Sequence, residues 1–297
     1  MTQVFYTHPI RGQSTTPAPN WAQSTRNSPV TIWGALLGCP HLPSTRDIYL
    51  PTRDILLTNR GYLGKIIGCL TPTGDMTKLS ENVRPMTGRH DWYRNTSWTE
   101  SEREDFETRF ARTRKASRSQ YLTIQAGYLF EGGYFRESLS LIDRMFADYP
   151  ERFNFSMGFL LRAKCHAALG DVSRAIESFR MSIQTERDYP NVRTNVPLDF
   201  AQFVVQNEIN ELFHEALSVL DETRRVGTQF PAHDYLYYSL KSCLLDSLGM
   251  DGAKSNAELA KTAAAKTHSG FWKHPTLCLV EEEPNWLRER LDRIIVG

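Results

Sequence analysis

The sequence predicts an all-α fold, an alpha-alpha superhelix of paired helices, with a poorly structured N-terminal region. From about residue 99 onward, apolar residues recur at helical spacing. An apolar helix, a small-residue turn and a second apolar helix then follow one another several times in succession. The first 85 residues are rich in proline, threonine, serine, asparagine and glycine instead, and they keep no long helical period.

Composition narrows the class of protein. The 297 residues are 40% hydrophobic and 23% charged, which is enough apolar material for a full core. The 35 basic and 34 acidic side chains nearly cancel, unlike those of a dedicated nucleic-acid binder. Five cysteines, odd in number and without a CxxC pair, disfavour a disulfide framework and a clustered zinc site. No secretion signal and no membrane-spanning apolar run is present, so we expect a cytoplasmic protein.

Residues 1–85 are predicted to be an irregular or disordered extension. Their apolar stretches, at residues 32–37, 55–57 and 62–70, are either short strands or hydrophobic patches, and periodicity does not choose between these. The change in composition falls almost at Met86. Met86 is therefore an alternative start, in which case the extension is not native.

Residues 86–118 are predicted to form an N-terminal flanking helix. Thr99 and Glu102 have the spacing of a capping box, in which each side chain bonds an unpaired amide of the first turn. Acidic residues at 100–107 precede a basic run from Arg109 to Arg118, as the helix dipole favours.

Helical hairpins repeat within residues 119–267. In the clearest one, LLRAKCHAALGDVSRAIESFRMSI, Gly170 ends the first helix, and Ala175 and Phe179 follow at helical spacing. The preceding unit has the same offsets at Gly133, Ser138 and Ile142. A third unit, at residues 197–231, keeps Ala216 and Leu220 in register but has Glu211 at the position of the turn glycine.

A fourth unit spans residues 235–265. It keeps Gly249, but its small residue, Ala253, follows that glycine by four positions instead of five. We therefore expect its second helix to be rotated or to start differently. The turn positions lie 37, 41 and 38 residues apart, at Gly133, Gly170, Glu211 and Gly249. A standard repeat has about 34 residues, so we expect the surplus to lie in loops.

This pattern resembles the tetratricopeptide repeat, which has glycine after the first helix, a small residue five positions later and a large apolar residue four further on. The resemblance implies an array whose first helices line a concave surface that binds a peptide or partner protein. A clamp for a C-terminal carboxylate is disfavoured, because the matching positions are mostly apolar. In this register the groove-facing positions would be Gln120, Thr123, Gly127, Phe130, Met157, Leu160, Lys164, Leu198, Ala201, Val205, Leu236 and Cys243.

Residues 268–297 are predicted to be a loop followed by a capping helix. Pro284 stands near the helix start, and an apolar stripe follows at Trp286, Leu287, Leu291, Ile294 and Ile295. The motif HSGFWKHPTLCLV, together with DWYRNTSW at residues 91–98, resembles the flanks of a group of bacterial tetratricopeptide proteins of undefined role.

No phosphate loop, dinucleotide fingerprint, metalloprotease motif or nucleophile elbow occurs, so we expect neither an enzyme nor a cofactor. Cys165 and His166 are adjacent on one helix and point about 100° apart, which favours packing over a catalytic pair. His268, His274 and Cys278 have poor spacing for a metal site, and loop contacts explain them better.

The leading hypothesis is a non-catalytic protein-interaction scaffold. The alternative is a nucleic-acid-associated or regulatory protein that uses residues 92–118. There Trp92, Tyr93 and Trp98 would stack on bases, and the basic run from Arg109 to Arg118 would contact phosphates.

Overall fold

The computed structural model describes residues 91–149, 152–223 and 230–297. The predicted irregular extension over residues 1–85, with Met86 as an alternative start, lies outside them. Every regular element within the described ranges is helical, which confirms the all-α prediction. Ten α-helices occur there: α1 (Glu100–Ala111), α2 (Lys115–Glu131), α3 (Phe135–Asp148), α4 (Phe155–Ala168), α5 (Val172–Asp188), α6 (Val196–Gln206), α7 (Phe213–Thr223), α8 (Pro231–Ser247), α9 (Ala253–Ala264) and α10 (Asn285–Val296). Three short 3₁₀ turns accompany them: Asp91–Tyr93, Arg152–Asn154 and Asn210–Leu212.

The helices pack in adjacent pairs. Four antiparallel hairpins follow one another, formed by α2 with α3, α4 with α5, α6 with α7 and α8 with α9. First helices of neighbouring hairpins also meet, α2 against α4 and α6 against α8. The C-terminal helix α10 packs on α8 and α9 at the end of the stack.

Local capping explains where two of these helices begin. The Thr99 hydroxyl accepts a hydrogen bond from the Glu102 amide, and the Glu102 carboxylate accepts one from the Thr99 amide, so the predicted capping box of α1 is confirmed. At the start of α5 the Asp171 carboxylate accepts a hydrogen bond of 3.1 Å from the Arg174 amide.

Each hairpin closes its first helix in the same way. One residue takes a left-handed conformation, and the amide of the next residue donates to the carbonyl five positions earlier. These closing bonds are Tyr134 to Leu129, Asp171 to His166, Ile209 to Val204 and Met250 to Leu245. The left-handed residues are Gly133, Gly170, Glu208 and Gly249.

Glycine at three of these turns is as predicted, but the register of the third hairpin was wrong. The left-handed residue there is Glu208, with φ of 50°, whereas Glu211 lies in the 3₁₀ turn Asn210–Leu212. The four turn residues are therefore 37, 38 and 41 positions apart. The third turn could not be recognised from the sequence, because it has Glu208 where the other three turns have glycine.

The later hairpins insert residues before their second helix. Ser138 and Ala175, both fully buried, come five positions after the left-handed residue, whereas Ala216 and Ala257 come eight positions after it. The third hairpin uses its 3₁₀ turn for this, and the fourth uses a second left-handed glycine, Gly252. The predicted surplus in loops and the different start of the fourth hairpin's second helix are both confirmed.

Among the described residues the hydrophobic core forms two large clusters, which meet at α4, and a small third cluster of Phe230, Leu277 and Cys278. Leu161 and Cys165 pack with α1, α2 and α3, whereas Leu160 and Ala163 pack with the helices that follow. Two faces of one helix thus join the N-terminal and C-terminal parts of the stack.

The C-terminal helix has the predicted apolar stripe. Leu287, Leu291 and Ile294 are buried in the second core cluster, and Trp286 and Ile295 pack at its edge. Removing this apolar face from water stabilises the last hairpin, which has no further hairpin beyond it within the described ranges.

Candidate functional site

The inner positions expected from the repeat register are mostly closed off from solvent. Gln120, Phe130 and Met157 are partly exposed. The other nine are buried: Thr123, Gly127, Leu160, Lys164, Leu198, Ala201, Val205, Leu236 and Cys243. Six of these nine, all except Thr123, Gly127 and Lys164, belong to the core cluster that includes α6 and α8. A role for these twelve residues in partner binding stays a prediction.

The register correction moves the third hairpin's inner positions by three residues. Counting back from Glu208 as from Gly170, the equivalents of Met157, Leu160 and Lys164 are Asn195, Leu198 and Gln202. Leu198 remains in the set, but Ala201 and Val205 leave it. A polar side chain, Gln202, thus replaces the apolar Val205 at the position equivalent to Lys164.

A buried ion pair joins the first helices of the second and third hairpins. Lys164 Nζ on α4 lies 2.9 Å from Asp199 Oδ2 on α6, and these side chains are only 10% and 8% exposed. Loss of water from two opposite charges is offset only when they stay close together. The pair therefore joins α4 to α6.

Two glutamines continue this polar stripe along α6. Asp199, Gln202 and Gln206 are spaced by three and then four residues, which places them on one face of the helix. Gln202 is 3% exposed, and its Oε1 accepts no hydrogen bond from the described part of the protein. Gln206 Oε1 is buried and also lacks a donor there. An unsatisfied buried amide oxygen is uncommon and needs an explanation.

The loop before α6 is held by a buried carboxylate. Glu186, 2% exposed, accepts hydrogen bonds from the Thr194 amide, the Thr194 hydroxyl and the Ser156 hydroxyl. Burial nevertheless raises the pKa of Glu186 above its usual value, because loss of solvent outweighs these donors. Glu186 thus positions α6, and with it the polar stripe.

A cleft of about 730 Å³ lies between the second helices α5 and α7. Its apolar lining includes Ile176, Ile183 and Val219. Two ion pairs cross it: Arg180 Nε to Glu215 Oε1 at 2.9 Å and Arg187 Nε to Glu222 Oε2 at 3.1 Å. Because both pairs are substantially exposed, we expect each to contribute at most about 1 kcal/mol.

The other sequence candidates find structural roles. Cys165 is fully buried, as expected, and donates to Ser138 Oγ at 3.3 Å. Burial raises the pKa of its thiol to about 12, so Cys165 stays protonated and unreactive at neutral pH. Burial also lowers the pKa of His166.

The described ranges contain no group of three or more histidine, cysteine or acidic side chains that could hold a metal ion. In the loop before α10, His268 Nδ1 accepts a hydrogen bond from the Gly270 amide at 3.0 Å. The carbonyl of His274 accepts one from the Ser269 hydroxyl. Both histidines therefore help to shape this loop.

The aromatic rings near the N-terminal basic run pack inward. Tyr93 is 2% exposed, and Trp92 lies 5.6 Å from Phe106 between ring centroids. Trp98 lies 5.5 Å from the same ring. Tyr93 is thus closed off from bases, and Trp92 and Trp98 are partly buried by the same packing contacts.

Comparison of the chain with protein-family models, with curated proteins and with solved structures finds no match. No helix in the described ranges is long and apolar enough to cross a bilayer.

Sequence reasoning missed Asp199, Gln202 and Gln206. A signal was present, since these are the three strongly polar side chains in the otherwise apolar helix VPLDFAQFVVQ. Polar residues at helical spacing within a buried helix indicate a specific role, because each must find a partner or be left unsatisfied.

Proposed function

We propose that this chain is a non-catalytic protein-interaction scaffold of the tetratricopeptide type, which binds a peptide or partner protein along the inner face of its first helices. The observation that carries the proposal is the succession of four hairpins with a common closing geometry. Such arrays create an extended binding surface that a single hairpin lacks.

The polar stripe supports the choice of the inner face. Lys164, Asp199 and Gln202 are buried polar groups on first helices. Buried polar groups reduce stability unless they are paired. Lys164 and Asp199 pair with each other, so only Gln202, whose Oε1 has no donor among the described residues, is a polar group of this face that folding leaves unexplained.

Nucleic-acid binding through residues 92–118 is the weaker proposal, because Trp92, Tyr93 and Trp98 are engaged in packing. It predicts binding to short nucleic-acid probes that weakens steeply between low and physiological salt. Absence of binding at low salt would remove it.

Two methionine-to-glutamate variants test the scaffold proposal, one at the partly buried Met157 and one at the exposed Met181. Met157→Glu places a charge on the first helix α4, and Met181→Glu places the same charge on the second helix α5, where Met181 is 47% exposed. We expect affinity purification with the full chain to recover a partner with wild type and with Met181→Glu, but not with Met157→Glu. Crosslinking of that partner should map to α4, α6 or α8.

Circular dichroism and thermal unfolding must show that both variants are folded. A partner that is retained by Met157→Glu and lost by Met181→Glu would move the site to the cleft between α5 and α7. Failure to recover any partner, combined with turnover in a substrate screen, would reverse the proposal.

A further inference from the structure

The loop before α10 holds a tryptophan side chain out in solvent. Trp272 is 82% exposed, and its neighbour Phe271 is 41% exposed. The Ser269 hydroxyl donates a hydrogen bond to the His274 carbonyl at 2.7 Å and accepts one from the Phe271 amide at 3.1 Å. The Ser269 amide donates to the Pro275 carbonyl at 2.7 Å. These bonds give residues 268–276, the tryptophan loop, a defined shape that displays the indole.

The tryptophan loop is anchored to the first helix of the last hairpin. The ring of Phe271 stacks on that of Phe230, with 5.1 Å between centroids. The Ala232 amide donates to the Cys278 carbonyl at 2.9 Å. The loop is thus held against the start of α8, while Trp272 stays in solvent. An exposed indole leaves a large apolar surface in water, and tryptophan is enriched among the residues that anchor protein interfaces.

The cleft between α5 and α7 offers an apolar recess for such a side chain. Ile183 and Val219 are buried in its floor, and Ile176 is partly exposed there. The two ion pairs that cross the cleft start from Arg180 and Arg187, which lie seven residues or about 10 Å apart along α5. The volume of about 730 Å³ is in the range of protein sites that enclose a ligand. One large side chain can therefore enter between the ion pairs and reach the floor.

The charges beside these two features are complementary. Lys273 Nζ lies 5.0 Å from the Trp272 ring centroid and forms no ion pair within the described ranges. Glu177, exposed at the rim of the cleft, has no ion pair in that part of the chain either. A surface that combines an apolar recess with a carboxylate fits both the indole and the ammonium group. An anionic membrane or nucleic acid fits the loop less well, because the exposed Glu281 and Glu282 follow it closely in the chain.

We propose that Trp272 of one copy of this chain inserts into the cleft between α5 and α7 of a second copy, where Lys273 lies beside the Glu177 carboxylate of that copy. The indole comes from another molecule, because Trp272 stays exposed in its own chain. Two different surfaces form the contact, so it is head-to-tail, and each copy retains a loop or a cleft for a further copy. The cleft belongs to second helices, so the first helices stay available to the partner of the proposed scaffold.

Sedimentation velocity of the full-length chain, at about 1 to 300 µM, tests this contact. A single inserted side chain gives a small interface, so we expect weak, reversible association of wild type within this range. Trp272→Ala removes the anchor and should lower the association constant at least about tenfold. Val296→Ala is the control, because Val296 is 86% exposed on α10 and takes no part in the contact. It should associate as wild type does.

A mixture of two defective variants tests which surfaces meet. Ser218→Trp places a bulky side chain at an exposed position of the cleft lining and should close the cleft, while the tryptophan loop is unchanged. Trp272→Ala keeps the cleft and lacks the indole. Each variant alone should be monomeric. An equimolar mixture should form a one-to-one dimer and no larger species, because each pair of chains has one intact loop and one intact cleft.

A charge exchange provides a second test, which does not require Ser218→Trp to fold. Lys273→Glu and Glu177→Lys should each weaken association about two- to fivefold, because each brings like charges together. The double variant places opposite charges side by side again, so its association should return close to that of wild type. Circular dichroism and thermal unfolding check that every variant is folded.

Four results would each overturn the inference. They are a wild-type chain that stays monomeric over the whole range, a Trp272→Ala variant that associates like wild type, a mixture that stays monomeric, and a double charge variant no stronger than the single ones. If monomeric wild type binds vesicles of phosphatidylserine and phosphatidylcholine and Trp272→Ala does not, the loop binds lipid and the inference is wrong. The scaffold proposal does not depend on these results, since Met157→Glu tests the first helices.

Discussion

Replacing Glu208 by glycine should stabilise the protein, because Glu208 occupies a backbone conformation that glycine adopts without strain. The other three hairpins have glycine at this turn position, with φ between 63° and 83°. Glu208 is exposed, and none of the hydrogen bonds or ion pairs found among the described residues involves its side chain. The substitution should therefore change little besides the backbone.

The magnitude follows from two opposing effects. A left-handed conformation costs a residue with a Cβ atom roughly 1–2 kcal/mol relative to glycine. Glycine makes the unfolded chain more flexible, which costs about 0.4–1 kcal/mol. The expected net gain for Glu208→Gly is about 0.5–1 kcal/mol. Gly170→Ala should lose a similar amount, since a Cβ atom there would meet nothing within 4 Å and only the backbone term remains.

Glu211→Gly is the control that distinguishes the two registers. Glu211 lies in a 3₁₀ turn, where glycine should destabilise by roughly 0.5–1 kcal/mol. Urea unfolding followed by circular dichroism gives all three free energies, and the expected melting-temperature shifts are about 2–4 °C. If Glu208→Gly is destabilised, or if Glu211→Gly is the stabilised variant, the assignment of the turn to Glu208 is wrong.

Three further substitutions test separate features of the structure. Lys164→Met alone should lower the free energy of unfolding by about 3–5 kcal/mol, because it leaves the buried Asp199 carboxylate unpaired. Adding Asp199→Leu should restore most of this free energy, and urea unfolding measures both changes. Gly132→Ala should destabilise by about 1–3 kcal/mol, because its Cβ atom would lie 1.9 Å from the Thr96 carbonyl oxygen; wild-type stability would contradict that contact. The pKa of Glu186 is raised in the folded state, so the folded protein holds this proton more tightly than the unfolded chain does. The stability of wild type relative to Glu186→Gln should therefore fall as pH rises above about 4.3, the ordinary pKa of glutamate. A stability difference that stays constant between about pH 4 and 7 would refute this.

Much of the fold could be predicted because helix ends are local. The capping box at Thr99 and the glycine turns at Gly133, Gly170 and Gly249 depend on residues within one helical turn of each other. The third turn could not be placed, because Glu208 adopts a conformation that glutamate rarely takes and that only the surrounding hairpin imposes.

The candidate site was only partly predictable for the same reason. Lys164 was selected from the repeat register of its own hairpin, whose turn glycine is evident in the sequence. Asp199 was not selected. It pairs with Lys164 across the contact between α4 and α6, and the sequence does not show how these two helices face each other, because α5 lies between them in the chain. Gln202 was missed because the predicted turn residue, Glu211, lies three residues after the actual one, Glu208. Val205 was therefore selected as the equivalent of Lys164 in place of Gln202.

The sequence by itself determined the all-α class, the capping box of α1 and three of the four turns, since backbone conformation and apolar periodicity are properties of short segments. Only the tertiary structure decided which inner side chains remain exposed and which polar groups are paired. Those outcomes depend on distances between hairpins, where Lys164 finds a carboxylate on α6 and the Oε1 of Gln202 finds no donor among the described residues. A buried polar group is stabilised or left unsatisfied by its neighbours in space, which the order of residues along one helix does not specify.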